Sequence, residues 1–146
     1  MPEVHLAVGV AVMALNLVAG VWGIGSWALD RPSVGFWYAL RAAQGAVVLQ
    51  VILGALLLVM GREPSDPWHY MYGTAPLLVN LFAEGMRVGA AQREIPEDVA
   101  FDTLPAGEQR SIALRIVRRE TLVMALAALL IVAFAVRAAQ VSGKMF

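Results

Sequence analysis

Two residue types with donor and acceptor chemistry are rare in this chain and regularly placed: the histidines are His5 and His69, and the asparagines are Asn16 and Asn80. One shift along the sequence lays His5 on His69 and Asn16 on Asn80 together. It also lays Gly9 on Gly73, Ala11 on Ala75, Leu17 on Leu81 and Ala19 on Ala83. Coincident Ala and Leu mean little in an apolar chain. Coincidence of both His and both Asn points to an internal duplication. At ~100° per residue, His5, Gly9, Val12 and Asn16 share one helix face, and so do His69, Gly73, Pro76 and Asn80. Two imidazoles presented from two like helices suit axial ligation of a haem iron, whose two free positions lie on opposite faces of a flat ring. Gly9 and Gly73, one turn beyond each His, would leave room for a porphyrin edge. Trp68, Tyr70 and Tyr72 would wall the site, and Arg62 would pair with a propionate. The expected cofactor is therefore haem b, with His5 and His69 as metal ligands. A divalent metal would need further ligands from Glu3, Glu63 or Asp66, and is the weaker reading.

These residues must be positioned by helices in lipid. Hydrophobic residues make up 60% of the chain and charged residues 15%, against ~45–50% and ~25% in soluble domains. The apolar residues fall in long runs, expected as helices over about 4–29, 34–60, 68–89 and 111–140. At ~1.5 Å per residue each can cross a hydrocarbon core of ~30 Å. Asp30-Arg31-Pro32-Ser33 and Gly61 to Pro67 break the runs with turn residues. A polar stretch from Ala90 to Arg110 is expected to be a loop with room for a short interfacial helix. The fold class expected is all-α: an integral membrane four-helix bundle, one domain over 1–146, built as a tandem helical-hairpin repeat over about 1–63 and 65–146. The first and third helices then run parallel and face each other diagonally across the core, where bundles place cofactors.

Eight arginines (Arg31, Arg41, Arg87, Arg93, Arg110, Arg115, Arg118 and Arg119) fall at one end of such a bundle, and Arg62, Arg137 and Lys144 at the other. The excess marks the first end as cytoplasmic. The chain is thus expected in the cell membrane as a multi-pass protein with both termini non-cytoplasmic, and with no cleavable leader. Asn16 and Asn80 are expected to bond between helices, with a mid-depth quinone or lipid headgroup site as the alternative. Glu84 and Arg87, one turn apart, form a local ion pair, and a proton relay from Glu84 to Arg41 or Arg118 is the functional alternative.

In the second helix, Gln50-Val51-Ile52-Leu53-Gly54-Ala55, followed by His69 in the third, resembles the Gln-x-x-Leu-Gly…His pattern of one four-helix half of haem A synthase. The chain is also similar in plan to b-type cytochromes built as four-helix membrane bundles. The likeness covers roughly Arg41 to Gly73. It implies that His69 is an axial haem ligand. This chain has one four-helix unit where that family has two, no His besides His5 and His69, and no matching acidic residue, so the likeness carries haem binding rather than synthase activity.

Zero Cys excludes disulfides, thiolate metal sites and iron–sulfur clusters. A formal net charge of zero gives no footprint for nucleic acid. No Ser-His-Asp set, phosphate-binding glycine loop or metalloprotease helix is present, so nothing argues for catalysis. The expected function is a small b-type haem protein of the membrane, for electron transfer or as an accessory in respiration or haem handling. The alternative is a cofactor-free structural or assembly subunit of a larger membrane complex. Its partners would be the bilayer and either such a complex or further copies of itself. A small oligomeric transporter is a third possibility, and it needs a polar path past Asn16, Asn80 and Glu84.

Overall fold

The computed structural model describes residues 2–95 and 100–142. Lys144, counted above in the charge balance, lies outside them. Four helices follow one another: α1 (Pro2–Ala28), α2 (Val34–Val59), α3 (Trp68–Glu94) and α4 (Ala106–Val141). A single 3₁₀ turn, Phe101–Thr103, lies between α3 and α4. No strand occurs among the described residues.

Local chemistry sets the helix ends. α1 closes with the Arg31 N–H on the Ser26 carbonyl at 3.0 Å, and Asp30 takes the left-handed φ of 50° that this closure needs. Pro32 then prevents continuation, and the Ser33 hydroxyl accepts from the Phe36 N–H at 3.3 Å to start α2. α2 ends the same way, with Gly61 at φ 72° and the Arg62 N–H on the Leu57 carbonyl at 2.9 Å. The Asp66 carboxylate accepts from the Trp68 N–H at 2.9 Å and opens α3.

α3 and α4 run further than their apolar stretches. α3 continues through Ala90-Ala91-Gln92-Arg93-Glu94, all good helix formers apart from their polarity. Glu94 is held there by Arg115 at 3.0 Å and Arg119 at 2.9 Å on α4. The helix stops at Ile95, which precedes Pro96 and is extended (φ −94°, ψ 123°). Leu104 is likewise extended before Pro105, and α4 begins directly after it. Residues 90–94 and 106–110 of the stretch expected as loop are therefore α-helical, and a proline stands just past the end of α3 and just before the start of α4.

α1, α2 and α4 are long and apolar enough to cross a membrane. α3 matches α1 in length but carries His69, Asn80, Glu84 and Arg87 and is less apolar. α4 packs along both α1 and α3, α1 also packs along α2, and α2 and α3 meet over a short stretch only. α1 and α3 are thus diagonal. The α1–α4 approach is close: a Cβ on Gly20 would fall 2.5 Å from Leu129 Cδ2, and one on Gly23 would fall 2.6 Å from both Ala125 Cβ and Phe36 Cε2. Small residues let helix backbones approach this way in lipid.

The interior is layered. One apolar cluster holds Val12, Val47 and Ile131, with Leu77 and Ala135 against it. A second holds Ala19, Phe36, Leu40, Ala83, Met124 and Ala128. The outward faces are apolar as well: Val10, Val21, Leu78, Leu81, Phe82 and Leu126 are each more than half exposed. Water penalises such a surface and hydrocarbon does not, so the bundle suits a lipid surround.

Candidate functional site

The start of α1, the end of α2, the start of α3 and the end of α4 meet at one end of the bundle, and both histidines lie there. Their ring centroids are 6.2 Å apart and their planes are inclined at 58°. Both side chains are half-buried. His69 Nδ1 lies 3.0 Å from the Ala138 carbonyl on α4. A carbonyl only accepts, so Nδ1 carries the proton and Nε2 carries the lone pair. His5 Nε2 lies 3.2 Å from Gln50 Nε2 on α2, with the amide N–H donating. Each imidazole is therefore oriented by a different neighbouring helix.

Two glycines of α2 and α1 shape the His5 side. A Cβ on Gly54 would sit 3.3 Å from His5 Cε1. A Cβ on Gly9 would sit 3.1 Å from Gln50 Nε2, so the space over Gly9 is used by the amide that holds His5. On the other side, a Cβ on Gly73 would meet His69 Nε2 at 4.0 Å, an ordinary contact. Arg62 lies exposed just past α2 at this same end and forms no ion pair among the described residues. Trp68 and Tyr72 pack on each other at 6.2 Å, and Tyr72 continues onto Phe134 at 6.5 Å, under Arg137 at 5.8 Å. Tyr70 is 41% exposed. These aromatics flank the end of the bundle rather than stacking on the imidazoles.

Among the described residues, no group of three or more His, Asp or Glu is arranged to hold a metal ion. Asp66, one of the carboxylates that a divalent site would have needed, caps α3 instead.

About three turns further in, ~16 Å along the helices, lie Asn16, fully buried, and Asn80, 8% exposed. Their helix neighbours Val12 and Leu77 belong to one apolar cluster, and Ala19 and Ala83 to the other. The two amides therefore occupy the layer between the clusters. Asn16 Nδ2 donates to the Val12 carbonyl of its own helix at 2.8 Å. The expected bond between helices is not what this amide makes. Asn16 Oδ1 and Asn80 Nδ2, an acceptor and a donor, have no hydrogen-bond partner among the described residues.

At the opposite end, Glu84 of α3 ties its own helix to α2, and its partner Arg87 reaches α4. Glu84 accepts from Arg41 and from Gln44 Nε2 (2.9 Å) on α2, and from Arg87 Nε (3.0 Å) one turn along α3. Arg87 also faces Glu120 of α4 at 3.7 Å and stacks 5.7 Å over Trp37 of α2. The Glu84–Arg87 pair is the one expected from the spacing, and Arg41, named beside Glu84 only for a proton relay, pairs with it as well. Arg118 goes elsewhere, to Asp30 at 2.9 Å.

Gln50, Ala138 and Gly54 lie against the two histidines, and sequence reasoning placed none of them in the site. Gln50 and Gly54 had a signal, since both belong to the Gln-x-x-Leu-Gly pattern. Ala138 had none, because it acts through its backbone. Comparison with protein-family models, with curated proteins and with solved structures finds no match to this chain.

Proposed function

We propose that this chain is a small multi-pass membrane protein that binds haem b between His5 and His69, for electron transfer or as an accessory in a respiratory or haem-handling complex. One observation carries the reading: two neighbouring imidazoles, 6.2 Å between centroids, with no third side-chain ligand beside them among the described residues. Metal–imidazole bonds of ~2.0–2.1 Å set two nitrogens on opposite sides of one ion ~4 Å apart and their ring centres ~6 Å apart. A metal held by two side chains alone must bring its remaining ligands with it, as the iron of a porphyrin does.

The second layer of contacts fits the same reading. The Ala138 carbonyl fixes the His69 tautomer that leaves Nε2 basic, as the outer partners of ligating histidines do. Ligation through His5 Nε2 requires the Gln50 amide N–H to leave that nitrogen, whereas ligation through Nδ1 moves the ring proton to Nε2, so that the Gln50 amide would have to turn its Oε1 to accept it. Gln50 and Gly54, the residues that carry the likeness to haem A synthase, both touch His5. Bound here, the group would supply a one-electron couple tuned by two imidazoles and their hydrogen-bond partners.

The two hairpins are read as a tandem repeat, since His5 and His69 meet at one height from parallel helices. The arginine-rich end is read as cytoplasmic, which puts the histidines and both termini on the other side.

A cofactor-free structural or assembly subunit is the second reading. It is favoured by the fact that each imidazole already has a protein partner, Gln50 or Ala138. An absorption spectrum separates the two. Protein purified after haem-replete expression is expected to show a Soret band, lost in His69→Ala and in His5→Ala while the helical signal is kept. Colourless wild-type protein rejects the haem reading in favour of the structural one.

A further inference from the structure

At the arginine-rich end, where the close of α1 meets the first turns of α4, a cleft of about 240 Å³ is lined by Trp27, Asp30, Arg31, Arg115, Arg118 and Thr121. Its charge is unbalanced. Asp30 serves Arg118, and the single carboxylate of Glu94 serves both Arg115 and Arg119. Arg31 forms no ion pair among the described residues and is exposed. The guanidinium of Arg118 is further held in place 5.5 Å over the Trp27 ring. A second cleft of about 350 Å³ adjoins the first and shares Ser26, Arg31 and Pro32 with it. Trp22, Gly25 and Leu29 line this neighbour, with Trp22 45% and Leu29 68% exposed on the outer surface of the bundle.

We propose that the paired clefts bind an anionic phospholipid, its phosphate among Arg31, Arg115 and Arg118 and an acyl chain along Trp22, Gly25 and Leu29. Charge complementarity selects the anion, because the basic cleft holds more guanidinium than carboxylate. The adjoining apolar cleft selects a lipid over a soluble phosphate, because only a lipid fills both. Basic pockets between helices at a cytoplasmic surface recognise headgroups in this way. The inference needs the chain to lie in a bilayer but does not need a haem, so the optical test and the one below fail independently.

The test uses the full-length protein in detergent, stripped of lipid and titrated with phosphatidylglycerol carrying brominated acyl chains, which quench nearby Trp. Quenching is expected at a concentration at least about fivefold lower than with brominated phosphatidylcholine. Arg31→Gln should weaken the phosphatidylglycerol response by roughly fivefold, the size expected for one basic residue near an anionic surface. Arg31→Glu should weaken it more, Arg31→Lys should largely keep it, and Arg137→Gln at the other end should leave it unchanged. Arg31 is exposed and forms no ion pair among the described residues, so these variants spare the fold. Equal affinity for the two lipids, or an Arg31→Glu protein that binds like wild type, overturns the proposal. Competition by millimolar inorganic phosphate as strong as that by phosphatidylglycerol overturns the lipid as occupant and leaves a soluble-anion site.

Discussion

The two imidazoles differ in how they are held, and the difference has consequences. His69 is anchored to a backbone carbonyl, which no side-chain substitution removes. His5 depends on Gln50 and on the space that Gly54 leaves beside its Cε1. Gly54→Val is therefore expected to displace the His5 ring while α2 stays helical. Under the haem reading the Soret band falls or shifts, and the melting transition moves by no more than about 1–3 kcal/mol, the usual cost of overpacking. An unchanged spectrum in a haem-bound Gly54→Val protein would show that His5 is not a ligand. Gln50→Leu removes the amide donor and is expected to retain haem with an altered midpoint potential in a redox titration, because it changes a partner and not a ligand.

Contacts between elements are uneven, and they rank the helices by how each is held. α1 and α4 come together through Gly20 and Gly23, where a side chain has no room. Gly23→Leu is expected to part them and to lower stability by at least about 1–3 kcal/mol. Gly45→Leu on α2, with nothing within 4 Å of its added Cβ, should be nearly neutral in the same denaturation assay. α2 and α3 meet over a short stretch, and Glu84 is the hub of their polar bridge. Glu84→Ala would leave Arg87 with its longer contact to Glu120 and its stacking on Trp37, and Arg41 with Gln44. Glu84 is 30% exposed, so the expected loss is modest, about 1 kcal/mol. Thermal unfolding should detect it, and Glu84→Gln should lose less because the amide still accepts.

At the scale of the whole molecule, the two ends of the bundle are chemically unlike. One end carries the imidazole pair and few charges, and the other carries eight arginines, of which Arg41, Arg87, Arg115, Arg118 and Arg119 pair with Asp30, Glu84, Glu94 or Glu120. This asymmetry predicts orientation. The chain has no Cys, so single substitutions report cleanly. Ser65→Cys, in the exposed loop before α3, should react with a membrane-impermeant maleimide in intact cells. Asp102→Cys, between α3 and α4, should react only after lysis. The opposite pattern would put the histidines on the cytoplasmic side.

Much of the fold was legible because its causes are local. Apolar runs, Pro32, Gly61 and Ser33 act within a few positions of themselves, so helix number and the ends of the first two helices follow from neighbours in the chain. The shared faces of His5 with Asn16 and of His69 with Asn80 are likewise a matter of helical period. Tertiary structure decided what crosses the gaps between helices. Gln50 on His5, the Ala138 carbonyl on His69, Asn16 turning back to Val12 and the extension of α3 to a Glu94 clamped by α4 all depend on rotation and depth of one helix against another. Those are set by packing over many residues at once, at tolerances of a few tenths of an ångström, and sequence spacing carries no such information.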